Sequence, residues 1–278
     1  MQIIKRLINI YSNFGFLKAT YKLFLYLFKF FYYYFWRISP FKFSLSLYGV
    51  LIKRDFNGPN SVTFKYSLIG QYGKFFSNFL KKQEDASIFL DIGANLGIYT
   101  LVALKNSNIE KIYSFEPQSV PFKFLNENVN RNNGHNKCTT LKYGVSHKTK
   151  KSFLKIDNNH LGKSKLKVSS DGKTMDKSQF SKDTIFEDIN IIGNKELSDL
   201  LSLDLSKKIG VKIDTEGHEL FVLEGLKGTN FWKNISWIFM EFSRKANHKK
   251  CLNIMSNEGF KIIKKVGNEE HYDLLFKK

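Results

Sequence analysis

The feature that most constrains this chain is an alternation of short apolar runs with amphipathic segments, which begins near Ser87 and continues to the end. The apolar runs have the length and composition of buried strands: Ile88–Ile92, Lys111–Phe115, Thr139–Tyr143, Val211–Ile213, Trp237–Glu241, Lys261–Val266 and Tyr272–Phe276. The segments between them have helical periodicity: Leu96–Lys105, Val120–Asn130, Glu219–Leu226 and Lys249–Asn257. This order predicts an α/β fold with a doubly wound, Rossmann-like sheet of seven strands.

The residues before this alternation predict a helix and a small strand cap. Residues 14–37 contain almost no helix breakers and are rich in Phe, Tyr and Leu, which predicts a helix. From Phe43 the pattern changes to alternating apolar and polar residues, and the alternation recurs at Val62, Phe64 and Tyr66, which predicts strands. A short helix is expected to join this cap to the first buried strand.

These patterns predict three parts of the chain. We expect an N-terminal basic and aromatic extension over residues 1–42, a cap over residues 43–86 and a large α/β domain over residues 87–278. The large domain carries a polar, weakly patterned insertion at residues 146–195. Such insertions are substrate lids in some α/β enzymes and solvated loops in many others, so the insertion alone does not indicate a role.

The helix at residues 14–37 is a candidate for a membrane interface. Lys18, Lys22 and Lys29 recur at steps of four and seven and therefore share one helical face. A broad aromatic face with a basic stripe fits an anionic membrane surface, and it also fits packing against the protein's own domain or a partner subunit. Its most apolar part, residues 23–36, is only about two-thirds of the roughly 20 residues that span a bilayer. We do not expect it to cross a membrane.

Composition excludes some classes of protein and indicates a compartment. Hydrophobic residues at 42% and aromatic residues at 15% exclude a disordered chain. The 44 Lys and Arg residues against 25 Asp and Glu residues give a formal net charge of +19, which fits anionic lipid or nucleic acid as a neighbour. Cys138 and Cys251 lie far apart and no signal peptide is visible. We expect reduced thiols and a cytoplasmic protein, with peripheral association at the inner membrane face as the alternative.

The first motif with chemical content is the sequence DIGANLGIYT, which begins at Asp91. A buried strand ends in this acid, and Gly93 and Gly97 form a turn that opens a helix. Such a turn lets the backbone approach a ligand closely, and the helix N-terminus favours an anionic group. A nicotinamide fingerprint needs glycine at the position of Asn95, so dinucleotide binding is not expected.

The second motif is the sequence SFEP, in which an apolar strand ends in Glu116. In a doubly wound fold, the acid at the end of the second strand lies beside the glycine turn of the first. It can accept hydrogen bonds from both hydroxyls of a ribose. Glu116 is therefore the candidate ribose ligand.

The third motif is VKIDTEGHE, a strand followed by a polar turn and a helix. It supplies Asp214 and Glu216, and the next strand supplies Glu241 in the sequence IFMEF. Ligands of open α/β sheets bind at the carboxyl ends of the strands, near the point where the strand order reverses. We therefore expect these acids to line the same crevice as the glycine turn.

Together these segments resemble a known family. In order along the chain they are DIGANLGIYT, YSFEPQSVPFKFLNENVNRN, VKIDTEGHELFVLEGLK and IFMEFS. They resemble the FkbM-type S-adenosylmethionine-dependent methyltransferases, which have the class I methyltransferase fold. The resemblance covers roughly residues 87–243 and does not extend to the N-terminal helix or to the Lys-rich insertion.

The resemblance implies a cofactor, its ligands and a reaction. The methionine part of S-adenosylmethionine would be held by the first motif, at Asp91, Gly93, Ala94, Asn95 and Gly97, and its ribose by Glu116. The adenine would lie near residues 143–146, where no acid stands. The family is linked to O-methylation, frequently of sugars or polyketide-type hydroxyls. Asp214 is the first candidate for the base, Glu216 and Glu241 would orient the acceptor, and His218 and His248 stand in reserve.

Alternatives stay open at this stage. An RNA 2′-O-methyltransferase would fit the net charge, but the aromatic residues are concentrated in one helix rather than spread over a groove, so nucleic acid is not the expected partner. A non-catalytic, membrane-associated protein that kept the fold is disfavoured by the intact glycines and Glu116. No pair of His residues has the spacing of a metal site, so we expect no metal, although clustered carboxylates could hold Mg²⁺. The acceptor and the oligomeric state are open.

Overall fold

The computed structural model describes residues 11–13, 15–156, 165–166, 185–201, 203–242, 247–269 and 271–278 of the 278-residue chain. Its helices are α1 (Phe16–Ile38), α2 (Ser61–Leu68), α3 (Lys74–Lys82), α4 (Ile98–Leu104), α5 (Ser119–Arg131), α6 (Asn194–Leu201), α7 (Glu219–Lys227) and α8 (His248–Asn257). Its strands are β1 (Phe43–Leu45), β2 (Leu51–Lys53), β3 (Ile88–Ile92), β4 (Lys111–Phe115), β5 (Cys138–Leu141), β6 (Gly144–Val145), β7 (Lys150–Lys155), β8 (Lys165–Leu166), β9 (Phe186–Ile192), β10 (Ile209–Ile213), β11 (Ile235–Phe242), β12 (Lys261–Gly267) and β13 (Tyr272–Lys277).

The central sheet has seven strands in the order β12-β13-β11-β10-β3-β4-β5. Strand β13 is antiparallel to both of its neighbours, whereas β11, β10, β3, β4 and β5 pair in parallel. The predicted doubly wound α/β sheet is confirmed, and each of the seven strands predicted for it is present with small differences at its ends. The strand order reverses between β3 and β10, which places a crevice at the carboxyl ends of these two strands.

Apolar side chains fill both faces of this sheet. One cluster lies between the sheet and helices α7 and α8. The other joins the sheet to the cap, and Phe76 of α3 stacks on Phe239 of β11 with ring centroids 3.9 Å apart. Trp237 is fully buried in this second cluster, where a Cβ at Gly210 would lie 1.9 Å from its ring. The cap therefore shares a core with the sheet.

The cap differs from the prediction at residues 61–68. Strands β1 and β2 form an antiparallel pair, but the predicted strand at Val62, Phe64 and Tyr66 is wrong, because these residues belong to helix α2. The buried residues of α2 are Thr63, Phe64, Ser67 and Leu68. They recur at steps of three and four, as expected for one face of a helix. Because Thr63 and Ser67 on this face are polar, hydropathy alone does not reveal the helical period.

The described ends of the insertion form a second sheet rather than a loop. Strands β6, β9, β7 and β8 are hydrogen-bonded in that order. Phe153 and Leu154 of β7 and Ile189 and Ile191 of β9 are buried. The sheet lies beside β5, because β6 follows that strand almost directly. Residues 157–164 and 167–184 of the predicted insertion lie outside the described residues.

Helix α1 confirms the helix predicted over residues 14–37, and it lies on the surface. None of its described residues is buried. Its C-terminal half is attached to the protein: Tyr32, Tyr33 and Trp36 pack against the second core cluster, and the Tyr32 hydroxyl donates to the carbonyl of Leu45 at 2.5 Å. Among the described helices, none combines the length and the hydropathy needed to cross a bilayer.

Candidate active site

A cavity of about 610 Å³ opens at the carboxyl ends of β3, β4, β10 and β11. This volume lies within the range of small-molecule sites. Its lining comes from the central sheet, from helix α2 of the cap and from the second sheet. The described lining residues are Val62, Thr63, Tyr66, Tyr72, Ile92, Gly93, Asn95, Glu116, Pro117, Gln118, Pro121, Tyr143, Gly144, Val145, Leu154, Ile189, Ile191, Asp214, Thr215, Glu216, His218 and Glu241.

The glycine turn after β3 forms part of the cavity floor. Gly93 has a φ of 77°, and a Cβ there would lie 1.8 Å from the carbonyl oxygen of Asp214. Its N–H and that of Ala94 donate to the carbonyl of Phe115 at 3.0 and 2.9 Å. Only glycine satisfies both the left-handed conformation and this close approach of two backbones. The turn thus brings the ends of β3, β4 and β10 together.

Glu116 is fixed at the edge of the same turn. Its Oε2 accepts the N–H of Asn95 and its Oε1 accepts the N–H of Gln118, both at 2.9 Å. Each carboxylate oxygen can accept a further hydrogen bond, so the cavity side remains able to bind hydroxyl groups. Burial raises the pKa of Glu116 to about 7, although the two backbone N–H groups and Lys212 act against this rise.

Lys212 ties the glycine turn to two acids. Its side chain is buried, and its Nζ donates to the carbonyl of Gly93 at 2.5 Å and lies 3.3 Å from Asp91 Oδ1 and 3.7 Å from Asp214 Oδ2. Burial lowers the pKa of Lys212, but the charges of Asp91 and Asp214 more than offset this, so the pKa is raised. Lys212 is therefore charged, and its position fixes both carboxylates and the turn.

A group of acids surrounds the end of β11. Glu241 is hydrogen-bonded to Asp214 and stands opposite Asp273 on β13. The charge of Asp214, followed by burial, raises the pKa of Glu241 far above its ordinary value. Burial and then Asp214 raise the pKa of Asp273 to about 7. At neutral pH Glu241 thus carries a proton, which it donates in its hydrogen bond to Asp214.

His218 and Tyr72 complete the polar wall. The Nε2 of His218 is 3.0 Å from Ser146 Oγ, and burial, with smaller effects of Lys150 and His147, lowers the pKa of this imidazole to about 3. His218 is therefore neutral. Burial raises the pKa of Tyr72 well above its ordinary value, and Asp214 and Glu241 add to this rise, which places the phenol beside the acids.

Most of the predicted site residues lie around the cavity. Gly93, Asn95, Glu116, Asp214, Glu216 and Glu241 line it. The remaining three residues of the predicted cofactor set do not appear in its lining. Asp91 is fully buried and accepts a hydrogen bond from Thr100, and Ala94 is buried in the turn. Gly97 is the N-cap of α4 and has a φ of 84°. His248, the other reserve base, contacts Tyr272 and also lies outside the lining.

Other residues of the site were not predicted. These are Tyr72, the α2 residues Val62 and Tyr66, and the β7 and β9 residues of the second sheet. Residues 143–145, expected near the adenine, also line the cavity. Lys212 lies within the third motif, and a lysine in an otherwise apolar buried strand was the signal that could have identified it. Within the described part of the chain, no three His, Cys, Asp or Glu side chains converge in a way that could hold a metal ion.

Comparison with known proteins decides the family. Residues 91–262, more than half of the chain, match the methyltransferase FkbM domain. The chain belongs to the FkbM methyltransferase family. This confirms the resemblance found in the four sequence segments, and the matched region contains the glycine turn, Glu116 and the strand ends that form the cavity.

The individual relatives of this chain described below are distant from it in sequence. The hexuronic acid methyltransferase AglP of Haloferax volcanii is 26% identical over 182 residues, and the match spans 64% of this chain and 64% of that protein. A solved methyltransferase FkbM from Methylobacillus flagellatus superimposes with a TM-score of 0.48 at 15% identity, covering 78% of this chain and 53% of that one. A putative tRNA (m1A22) methyltransferase of Streptococcus pneumoniae in complex with S-adenosyl-L-methionine superimposes with a TM-score of 0.43 at 11% identity. The match covers 74% of this chain and 72% of that one.

Proposed function

We propose that this protein is an S-adenosylmethionine-dependent O-methyltransferase that methylates a hydroxyl of a sugar, glycan or glycolipid precursor. One observation carries the proposal: the glycine turn, the fixed carboxylate of Glu116 and the acids Asp214 and Glu241 meet in one cavity. Membership of a methyltransferase family supports the reaction. A relative that acts on hexuronic acid supports a sugar as the acceptor.

The residues present fit the cofactor. Gly93 lets the backbones of the turn and of Asp214 approach each other closely, and this packing forms the cavity floor on which a ligand can lie. Glu116 is held by two backbone N–H groups in an orientation suited to the two hydroxyls of a ribose. Asn95 adds a further polar group to the lining. When bound, S-adenosylmethionine supplies an electrophilic methyl group on a sulfonium ion, so the protein's main tasks are to position the acceptor and remove its proton.

Asp214 is the group best placed to take that proton. It lines the cavity next to the glycine turn, and 17% of its side chain is exposed, which leaves an oxygen accessible to an acceptor. Lys212 and the protonated Glu241 both stabilise its ionised form. Glu216 follows on the same loop with a φ of 54° and is placed to orient the acceptor.

Transfer of a labelled methyl group tests this proposal. The purified protein is incubated with a tritiated methyl donor and either a glycan and glycolipid extract or total RNA. We expect label in the carbohydrate fraction and none in RNA above the level of a heat-treated control. Label in RNA alone would contradict the proposed acceptor and support the 2′-O-methyltransferase alternative.

The raised pKa of Glu116 predicts how cofactor binding depends on pH. Because its pKa is raised to about 7, the carboxylate is protonated at lower pH and then loses acceptor capacity. We expect the Kd of S-adenosylhomocysteine to rise about tenfold from pH 8 to pH 6. In Glu116→Gln one of the two backbone N–H groups would face an amide NH₂, so binding at pH 8 should weaken by about 1.5–3 kcal/mol. Calorimetry should also show a flat pH profile for this variant, and a profile unchanged from the wild type would place the ribose elsewhere.

We further propose that α1 attaches the protein to an anionic membrane surface. The large side chains of this helix are unusually exposed: Phe24, Phe31 and Phe35 at 63%, 65% and 56%. Lys18, Lys22 and Lys29 share one face of it. Apolar rings at the acyl boundary and lysines among anionic headgroups are the arrangement of an interfacial helix. This location suits a lipid-linked acceptor.

Vesicle flotation tests the membrane proposal without truncating the chain. We expect the wild type to float with vesicles that contain phosphatidylglycerol, and the triple variant Phe24→Ser, Phe31→Ser, Phe35→Ser to remain with the soluble fraction. The matched control changes Ile262 and Ile263 of edge strand β12 to Ser, because both are 54% exposed but lie far along the chain from α1. Equal flotation of the triple variant and the control would contradict the proposal.

A further inference from the structure

The ionisable side chains of the cavity wall differ in type from those of the protein as a whole. The chain carries a formal net charge of +19. Among the described residues that line the cavity, however, there are four acids, Glu116, Asp214, Glu216 and Glu241, and neither lysine nor arginine. A chain with 44 Lys and Arg residues therefore presents acids, but no Lys or Arg side chain, at the cavity walls described here.

The nearest buried cation does not reverse this charge. Lys212 lies behind the wall, and its ammonium group is already compensated by Asp91 at 3.3 Å and Asp214 at 3.7 Å. The carboxylates also influence one another and their neighbours: Asp214, Glu241 and Glu216 all raise the pKa of Tyr72. An anionic acceptor group near Tyr72 would meet the same repulsion as the phenolate.

The other walls are apolar. Helix α2 contributes Val62 and Tyr66, and the second sheet contributes Leu154, Ile189 and Ile191. Tyr66 is 47% exposed, so its ring is available to a ligand. An aromatic ring next to carboxylates suits an uncharged sugar, because the ring packs against apolar C–H faces while the carboxylates accept hydrogen bonds from hydroxyls.

The candidate base, Asp214, gives an independent reason to expect a hydroxyl as the acceptor. A sugar hydroxyl must lose its proton during methylation, and Asp214 lines the cavity beside Lys212 in a position to take it. A uronate carboxylate has already lost its proton at neutral pH and would need no base. A base at this position thus has a role only when the acceptor is a hydroxyl.

From these observations we infer that the acceptor is a hydroxyl on an uncharged sugar unit, and that the acidic cavity wall discriminates against uronate and phosphate groups at the reacting end. The inference rests on the proposed function and narrows it. It separates this protein from the hexuronic acid methyltransferase AglP by the charge of the group that enters the cavity. Glu216 is the residue that we assign to this discrimination.

The product linkage tests the inference. Glycans labelled by the wild-type protein with a tritiated methyl donor are treated with mild base, which releases the methyl group of an ester as volatile methanol and leaves a methyl ether intact. We expect base-stable label, and after acid hydrolysis we expect it on sugars that do not bind an anion exchanger. Base-labile label, or label on acidic sugars, would overturn the inference while leaving the methyltransferase proposal in place.

Neutralising Glu216 tests the assigned residue. In Glu216→Gln we expect the ratio of acidic to neutral labelled sugars to rise about tenfold, because a repulsive charge is removed near the acceptor. The control is Glu84→Gln, which removes an exposed carboxylate outside the lining and should leave the ratio unchanged. An equal ratio in the two variants would overturn the role of Glu216. Absence of label in every fraction, with S-adenosylhomocysteine still bound, would instead contradict the proposed function itself.

Discussion

Asp214→Asn is expected to lower the rate of methyl transfer by about 10²–10⁴-fold, the usual contribution of a positioned base. The amide has nearly the same shape as the carboxylate but cannot accept a proton from the acceptor hydroxyl. Lys212 would also lose one of its two carboxylate neighbours, although Asp91 at 3.3 Å remains. Single-turnover rates with the labelled donor measure the loss, and calorimetry with S-adenosylhomocysteine should show that cofactor affinity changes by only a few-fold.

Glu241→Gln is the matched control for this prediction. Glu241 carries a proton that it donates to Asp214, and a glutamine amide can donate a hydrogen bond in the same way. We therefore expect a much smaller loss of rate than in Asp214→Asn. If Glu241→Gln instead removed nearly all activity and Asp214→Asn stayed active, the assignment of the two acids would be reversed.

The inner strands of the central sheet were predictable because they are buried on both faces. Such strands appear in a sequence as short continuous apolar runs, and β3 and β4 begin and end where the pattern placed them. The parallel order then forces the residues that follow β3, β4 and β10 to one edge. For this reason Gly93, Glu116 and Asp214 could be assigned to one crevice without coordinates.

The cap and the second sheet were less predictable because their buried positions are not purely apolar. Helix α2 buries Thr63 and Ser67 next to Phe64, while Val62 and Tyr66 are exposed at its surface and line the cavity. Hydropathy therefore showed an alternation where the chain has a helix. Strands β7 and β9 mix charged and apolar residues, and each is buried over only part of its length.

The roles of individual polar residues depend on distances that a sequence does not contain. Asp91 ends a strand and precedes the glycine turn, which suggested direct contact with a ligand. In the structure it is fully buried, accepts a hydrogen bond from Thr100 at 2.7 Å and faces Lys212. Register explains this arrangement, because Lys212 of β10 stands directly opposite Asp91 of β3. The pair thus acts on the site through Asp214 and the turn.

Lys212→Met is expected to destabilise the protein by about 3–5 kcal/mol, which is the cost of leaving a buried partner charge uncompensated. The substitution removes the ammonium group but keeps a side chain of similar length, so the loss comes mainly from Asp91, which is fully buried. The hydrogen bonds from Nζ to the carbonyls of Ile92 and Gly93 are lost as well. Denaturant unfolding measures the change, and Lys207→Met, which breaks a surface pair with Glu110, should have little effect.

The double variant Asp91→Asn, Lys212→Met separates the two roles of this lysine. Removing both charges takes away the uncompensated carboxylate, so much of the lost stability should return. Methyl transfer should not return with it, because Asp214 would still lack the cation that stabilises its ionised form next to Glu241. Recovery of both stability and full activity in the double variant would show that Lys212 serves the fold alone.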